Sequence, residues 1–374
     1  MSNYELTRKP PQLGFGLMRM PMAGDAIDLD QVKKMVDSYM QAGFNYFDTA
    51  WGYHDGKSEE TLRKAVTERY NRDQFLVATK FPIWAVKEQA DVQRIFDTQL
   101  ERTGAGYFDF YMLHAIDAAK GKLLDQYGVW DFLNAQKANG LAKHIGFSFH
   151  DKADVLDRYL TDHPEVEFVQ LQLNYADWDD ANVQARLCYE TCRKHGVAVT
   201  IMEPVKGGAL AILPDAARDA FKAARPDSSI ASWAMRYCGS LDGIVAVLSG
   251  MSNEEQMLDN IKTMKDFEPL TDADNKTIEK VKEILAAVPT VPCTACKYCI
   301  EDCPMSIKIP EILREYNNML TYGDVAGAKR HYNMFTGKPV KASECIECGA
   351  CEARCPQHIE IIARLKDCVQ ALEG

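Results

Sequence analysis

Short apolar runs and longer amphipathic stretches alternate eight times between residue 14 and about residue 266. The runs cover residues 14–20, 45–50, 75–80, 107–115, 142–148, 168–174, 198–205 and 243–250. They are short and rich in Val, Ile, Phe and Tyr, as expected of strands buried in a parallel sheet. The stretches between them have helical periodicity. In 29–42, for example, Val32, Met35, Val36 and Met40 share one face. Further helices are predicted over 59–70, 89–102, 129–138, 154–159, 183–195, 228–237 and 254–265. Eight strand–helix alternations over about 250 residues predict an α/β fold, a (β/α)8 TIM barrel. The competing doubly wound sheet lacks its usual signature, because Gly14-Phe15-Gly16 is followed by Leu-Met-Arg with no third glycine.

One more helix is predicted over 272–287, with Ile278, Val281, Ile284 and Leu285 on a stripe. Pro289 and Pro292 cannot continue it and mark a boundary. The expected domains are therefore 1–288, the barrel, and 289–374, a small C-terminal domain. An internal repeat follows the boundary at an offset of 52 residues. Cys293, Cys296, Cys299, Cys303, Pro304, Ile307, Ile309 and Leu313 recur as Cys345, Cys348, Cys351, Cys355, Pro356, Ile359, Ile361 and Leu365.

Composition narrows the picture. The chain has 43 Lys and Arg against 54 Asp and Glu, a net charge of -11, and no polybasic run. A nucleic-acid partner is not expected, since phosphate backbones are bound by clustered cations. No apolar run reaches the ~18 residues that span a bilayer, and the polar start MSNYELTRKP lacks the apolar core of a secretory signal. The expected location is the cytoplasm, with no membrane partner. In that reducing setting, eight of the twelve cysteines at repeated spacings point to metal and not to disulfides.

Each copy reads CxxCxxCxxxCP: CTACKYCIEDCP and CIECGACEARCP. Three closely spaced thiolates can wrap one face of an iron–sulfur cube, and in this ferredoxin-type run the fourth cysteine ligates the other cluster. Two 4Fe-4S clusters are expected: one on Cys293, Cys296, Cys299 and Cys355, the other on Cys345, Cys348, Cys351 and Cys303. Two structural zinc sites are the alternative, but zinc usually takes two close pairs and often a histidine. About forty residues, helical near 311–320, separate the runs, so the segment resembles the α-helical ferredoxin-like domain appended to larger redox enzymes. Its charge from Cys293 onward, 10 Lys and Arg against 11 Asp and Glu, gives no steering signal for a partner. Cys188, Cys192, Cys238 and Cys368 read as core thiols, and a stripe of Ile362, Leu365, Val369 and Leu372 as packing within the C-terminal domain.

Barrel enzymes place their chemistry at the C-terminal ends of the strands. Those ends offer Asp48 and Tyr53 in FDTAWGY, Lys80 in VATK and His114 in YMLHA. An ammonium beside a phenol favours the phenolate and brings its pKa toward neutrality. Such a tyrosine can protonate a carbonyl oxygen while hydride reaches the carbon, with a histidine orienting the oxygen. Trp51, Trp84 and His150 follow strand ends two, three and five and are expected to border the substrate pocket.

On these residues the chain resembles the aldo/keto reductase family over roughly residues 14–266, and in particular its iron–sulfur-containing branch. Asp48, Tyr53, Lys80 and His114 match the family's tetrad, FDTAWGY with the following SEE matches its second strand, and IGFS, QLNY, EPVKGG and SGMSNEEQMLDN are further matches. The resemblance implies an oxidoreductase acting on a small-molecule carbonyl or alcohol with a nicotinamide dinucleotide. It implies that Ser148 and Gln172 hold the carboxamide, and that residues 249–260, with Ser249, Gly250 and Asn260, line the adenosine end. There are departures. Phe149 stands where Asn is frequent, and Met202 and Glu203 stand where many members have an aromatic and a serine. A carboxylate there repels a pyrophosphate unless Lys206 or a helix N-terminus offsets it. Residues 249–260 hold no Lys or Arg for a 2'-phosphate, so NADH is favoured over NADPH. The clusters would relay single electrons to or from ferredoxin or another carrier, with a flavin or a radical-capable substrate as the candidate intermediary. The alternatives are an NAD(H)-dependent carbonyl reductase with structural clusters, and a nucleotide-binding redox sensor that controls a partner.

Overall fold

The computed structural model describes residues 6–7, 9–301, 303–336 and 340–374. Most of the N-terminal stretch on which the absence of a secretory signal was read, residues 1–5 and 8, lies outside the described residues, as does Asp302 in the first cysteine run. The eight expected strands are β1 (Gln12–Gly16), β2 (Tyr46–Asp48), β3 (Leu76–Phe81), β4 (Phe108–Ile116), β5 (Ala142–Phe149), β6 (Phe168–Gln172), β7 (Ala198–Met202) and β8 (Ile244–Ser249). All pair in parallel and close into a barrel in the order β1-β8-β7-β6-β5-β4-β3-β2. Strands buried on both faces need no polar face, which is why they read as apolar runs. Tyr46, Ala78, Phe110, Met112, Phe168, Ala198, Ala246 and Leu248 form one buried cluster of the barrel. At Gly146 in β5 the neighbouring backbone comes so close that an added Cβ would stand 2.1 Å from the Phe168 carbonyl oxygen. Gly146→Ala is therefore expected to destabilise the barrel by about 1–3 kcal/mol, since β6 backbone must move to admit it. Denaturant unfolding of the variant beside wild type measures this.

Register sets the chemistry at one end. Gly16 pairs with Asp48, Asp48 with Ala78, and Lys80 with Met112. Ser148 pairs with Gln170, Gln172 with Met202, and Phe15 with Ser249.

Several strands stop earlier than expected, for identifiable reasons. After β1 the Leu17 N–H donates to the Asp48 carbonyl and the Met20 N–H to His54 Nε2 at 3.4 Å, so the chain turns inward instead of extending to residue 20. β6 ends before Asn174, whose Oδ1 accepts the N–H groups of Ala176 and Asp177. That local turn competes with the ladder. β7 ends at Met202 because Glu203 adopts a left-handed φ of 57°.

Most expected helices are present, among them Leu29–Gln41, Ala90–Thr103, Val129–Ala138 and Glu254–Lys265. On Leu29–Gln41 the buried face is Val32, Met35, Val36 and Tyr39, with Tyr39 and not Met40 completing it. The Tyr39 hydroxyl lies within hydrogen-bond distance of the Leu13 and Tyr46 carbonyls, which makes its burial tolerable. The stretch 59–70 divides into Ser58–Leu62 and a wide turn Arg63–Thr67, closed by Glu68 N–H to Arg63 O. Gly121–Gln126, Asp215–Ala224 and Val325–Phe335 are helices that periodicity did not announce.

The chain forms two compact units, Met1–Pro204 with Ser232–Leu270, and Val205–Ala231 with Thr271–Gly374. This grouping differs from a division at residue 288. In the second unit Asp274, at the start of Asp272–Ala286, accepts from Arg225, just past Asp215–Ala224, at 2.8 and 2.7 Å. The C-terminal part of that unit is helical, with Ile309–Tyr322, Val325–Phe335 and Ile361–Cys368 around Ile312, Leu313, Ile361, Leu365, Cys368 and Leu372. The stripe read as Ile362, Leu365, Val369 and Leu372 is turned by one residue, its fully buried members being Ile361, Leu365, Cys368 and Leu372.

The repeat is visible in the backbone as well. Left-handed residues Ala295, Lys297 and Ser306 recur 52 positions later as Glu347, Gly349 and His358. The short helices Tyr298–Glu301 and Ala350–Ala353 obey the same offset. Among the described residues no helix is long and apolar enough to cross a membrane.

Candidate active site and paired cysteine cavities

The four strand-end residues converge. Lys80 is 1% exposed, and its Nζ donates to Asp48 Oδ1 at 2.7 Å and to the Thr49 carbonyl at 2.8 Å. The same Nζ lies 4.9 Å from the centre of the Tyr53 ring. Tyr53 and His114 meet edge to face with centroids 6.0 Å apart, and Trp84 leans on His114 at 4.8 Å. Trp84 is half exposed. The His150 N–H, just past the end of β5, donates to the carbonyl of Ile116, the last residue of β4. Trp51 carries the Arg102 guanidinium over its ring at 4.1 Å.

Burial governs the proton affinities. It pushes Asp48 up despite Lys80, while Asp48 and Tyr53 together hold Lys80 above its usual value although burial opposes them. Tyr53 was expected to move toward neutrality, but its net shift is upward: burial is the largest cause and outweighs the pull of Lys80. Tyr53 is thus a loaded proton donor. His114 is held down to about 2 by burial and by Lys80, His150 and Lys120, so it is neutral near pH 7, with Nδ1 buried and unpaired. Because its folded pKa lies below the unfolded 6.5, its contribution to stability is present above pH 6.5 and is lost as pH falls through that value. Wild type is expected to lose stability relative to His114→Gln by up to about 1.4 kcal/mol per pH unit below 6.5. Unfolding midpoints of both proteins at pH 7.5, 6 and 5 check the sign.

Behind the cluster lies a buried network that the sequence reading did not single out. Glu59 Oε1 accepts from Thr79 Oγ1 at 2.8 Å and from Gln99 Nε2 at 2.6 Å, and Gln99 also reaches the Lys80 carbonyl at 3.1 Å. Tyr111 donates to Gln99 Oε1, and Arg102 stands 3.5 Å from Glu59 Oε2. The only hint in the sequence was the SEE that follows FDTAWGY. These groups hold the Lys80 backbone and the Trp51 side of the cluster in one polar frame.

The residues expected at a dinucleotide are placed as follows. Ser148, 1% exposed, accepts the Ala115 N–H at 2.7 Å. Gln172 Nε2 donates to Asp177 Oδ2 at 3.0 Å, an anchor that sequence reading missed. Asn260 Nδ2 donates to Ser249 Oγ at 2.9 Å. Gly250 lies under the Arg19 side chain, whose Cβ and Cδ would be 3.1 Å from an added Cβ. Arg19 stands beside Glu203, at 3.7 Å. Lys206, the cation expected there, has its Nζ 5.7 Å from the Tyr322 ring.

In the second unit eight cysteines gather around two small cavities. One is lined by Cys293, Cys296, Cys299 and Cys355 with Ile309, Leu313 and Ile359. The other is lined by Cys303, Cys345, Cys348 and Cys351 with Ile307, Ile362 and Leu365. Each run thus lends its fourth cysteine to the other's cavity. Left-handed residues lie between the cysteines of each run, at Ala295 and Lys297 in the first and at Glu347 and Gly349 in the second. Four soft donors in an apolar pocket fit an iron–sulfur cube. Cys188, Cys192, Cys238 and Cys368 are buried, with thiols pushed up by burial, as inert core thiols are.

Eight parallel strands with a lysine–carboxylate–phenol–imidazole group at their carboxyl ends, in a chain that also carries two four-cysteine cavities, define a redox-type barrel with an iron–sulfur segment. The chain belongs to the aldo/keto reductase family, whose profile matches residues 12–283, and residues 292–360 match the 4Fe-4S dicluster domain. It is similar to L-galactose dehydrogenase of Arabidopsis thaliana, 26% identical over 306 residues that cover 75% of this chain and 92% of the plant protein. It is also similar to the aldo-keto reductase AKR2E4 of Bombyx mori, 26% identical over 49% of this chain and 59% of that one. The NAD(P)H-dependent 6'-deoxychalcone synthase of Glycine max is 26% identical over 51% of this chain and 64% of that one. Against the silkworm and soybean proteins, then, the chain spans about three fifths of their length. Among solved structures, the Klebsiella pneumoniae aldo-keto reductase in complex with NADPH superposes with a TM-score of 0.59 at 18% identity, over 73% of this chain and 91% of that one. The holo form of AKR11C1 from Bacillus halodurans gives 0.57 at 22% identity, over 72% and 91%. At these identities the likeness establishes the barrel fold.

Proposed function

We propose that this chain is an oxidoreductase that interconverts a small-molecule carbonyl compound and its alcohol, with residues 1–288 as the reductase portion and 289–374 as the iron–sulfur portion. The observation that carries this is the buried Lys80–Asp48 pair, with Lys80 over the face of the Tyr53 ring and a neutral His114 at that ring's edge. A nicotinamide dinucleotide, when bound, supplies or takes up hydride at the carbonyl carbon. The chain handles the proton. Tyr53 passes its hydroxyl proton to the carbonyl oxygen in reduction and recovers it in alcohol oxidation. Lys80 stabilises the phenolate left behind, and Asp48 keeps Lys80 in place. Neutral His114 offers one ring N–H to orient the oxygen, and Trp51, Trp84 and His150 border the substrate.

For the carboxamide, Ser148 still has its hydroxyl proton to donate and Gln172 still has Oε1 to accept. An amide needs one of each. Ser249, Gly250 and Asn260 are assigned to the adenosine end, with NADH favoured.

Cys293, Cys296, Cys299 and Cys355 would hold one 4Fe-4S cluster, and Cys345, Cys348, Cys351 and Cys303 the other. Clusters of this type, when bound, supply one-electron transfer, for which ferredoxin or another carrier is the partner class and a flavin a candidate go-between. A second reading has support too: Cys299 and Cys351 sit in the apolar core of their unit, so the clusters could serve structure alone. Consumption of NADH with an aldehyde, ketone and sugar panel, with the clusters held oxidised, separates the two. Turnover that survives supports the structural reading, and turnover that stops with the fold intact supports electron exchange. No carbonyl reduction with NADH, NADPH or reduced ferredoxin overturns the proposal.

A further inference from the structure

The two cysteine cavities are built from a repeat, so the positions that line them can be compared across the offset of 52 residues. Exposure of the cysteines is matched. Cys296 and Cys348 are exposed, Cys299 and Cys351 are buried, and Cys293, Cys345, Cys303 and Cys355 are intermediate. The remaining lining is not matched. Thr294, Lys297 and Gln357 line the cavity of Cys293, Cys296, Cys299 and Cys355. Their twins Ile346, Gly349 and Met305 line the cavity of Cys303, Cys345, Cys348 and Cys351. Gln357 follows the second run and Met305 the first, yet each lines the other run's cavity, so polar residues drawn from both runs all fall in one of the two. Among the described residues no charged side chain lines the second cavity.

Lys297 is also kept where its twin is glycine. Its φ of 67° lies in the left-handed region that a side chain enters only at a cost, whereas Gly349 at 76° enters it freely. The carboxylates that act on the cysteines are shared evenly, Glu311 on Cys293 and Glu352 on Cys351. Glu347, between Cys345 and Cys348, accepts from Lys366 Nζ at 2.8 Å. The ammonium and the two neutral polar groups of the first cavity are therefore the main difference between the sites.

We propose that the two cavities are electronically unequal: Lys297, with Thr294 and Gln357, makes the Cys293, Cys296, Cys299 and Cys355 site the resting place of an electron that the apolar site passes on. The inference rests on the two-cluster reading above and goes beyond it by giving the pair a direction. Reduction of a 4Fe-4S cluster adds negative charge to a group already surrounded by four thiolates. A nearby ammonium and donors such as a hydroxyl and a carboxamide favour the reduced form, and an apolar wall disfavours it. In the transfer one electron leaves the apolar site, whose cluster core goes from 1+ to 2+, and enters the polar site, whose core goes from 2+ to 1+. No bond breaks and no proton moves. A one-electron carrier of the ferredoxin class supplies the electron to the apolar site.

The test is stepwise anaerobic reduction of the full-length, reconstituted protein at controlled potential, followed by absorbance and electron paramagnetic resonance. Wild type is expected to show two one-electron steps, the electron preferring one site at least about tenfold, which is about 59 mV for a one-electron couple. Lys297→Gly copies the twin residue and suits the left-handed φ, so it should fold at least as well. It is expected to weaken the upper step about tenfold and to leave the lower one in place. Gln357→Met, again the twin residue, is expected to move the same step the same way by less, and Lys297→Arg to keep it. Lys329→Gln, at a residue that lines neither cavity, is expected to move neither step. A single step in wild type overturns the proposal. So does a Lys297→Gly protein of full iron content in which the lower step moves instead, both steps move equally or neither moves. If wild type itself holds well under about eight irons per chain, the two-cluster reading fails and the proposal with it.

Discussion

Tyr53→Phe is expected to lower carbonyl-reduction turnover by about 10²–10⁴-fold, the usual contribution of a positioned proton donor. Dinucleotide affinity should stay within about twofold, because Phe keeps the ring that packs edge-on against His114 and beneath Lys80. The effect should therefore appear in kcat and not in dinucleotide binding. The upward shift of Tyr53 adds a direction. Burial keeps the phenol protonated, so reduction should be sustained through neutral pH. Alcohol oxidation, which needs the phenolate, should rise toward higher pH. Removing Lys80 is a poorer test of the same idea. It would leave Asp48 as an unpaired charge in a buried site, and loss of one partner of such a pair costs about 3–5 kcal/mol of stability. Steady-state kinetics in both directions for wild type and Tyr53→Phe, with dinucleotide binding measured separately, check the prediction.

The second large effect concerns which cysteines act together. If the crossed cavities are the cluster sites, Cys293→Ser with Cys355→Ser strips ligands from one site only, although the two residues lie in different runs. Iron is then expected to fall from about eight to about four per chain. Cys293→Ser with Cys303→Ser removes two cysteines of the same run but one from each cavity. It is expected to compromise both sites and leave well under four irons. Iron and acid-labile sulfide assays on anaerobic preparations distinguish the patterns. Equal iron loss in the two double variants would contradict the crossed arrangement. Both variants should also melt earlier, since Cys299 and Cys351 belong to the core around which the helical segment packs.

The barrel was legible because parallel strands buried on both faces leave apolar runs, and their ends led directly to Asp48, Tyr53, Lys80 and His114. The crossed grouping of the cysteines was legible as an expectation, since spacing and repeat are one-dimensional facts, and the same four-and-four sets line the two cavities. What sequence reading missed depends on distant partners. Arg19 reads as an ordinary arginine near the end of the first predicted strand, and only barrel closure brings it over Gly250 and beside Glu203. Asp177 reads as one acid in DWDD, yet it anchors Gln172 and Asn174. The direction of the Tyr53 shift was misjudged because burial, the largest cause, is a property of packing. Asp215–Ala224 escaped notice because it buries only Ala217 and Phe221, too narrow a stripe for a helical pattern to emerge.

The most direct measurement is an anaerobic reaction of the iron-replete protein with NADH deuterated at the transferable position and a panel of aldehydes, ketones and sugars, run beside Tyr53→Phe. The expected result is deuterium at the carbinol carbon of at least one product, formed one-for-one with NADH consumed by wild type and suppressed at least a hundredfold in Tyr53→Phe. If deuterium fails to reach any product while NADH binds, or if Tyr53→Phe transfers it as fast as wild type, the strand-end cluster is not a carbonyl-reducing site.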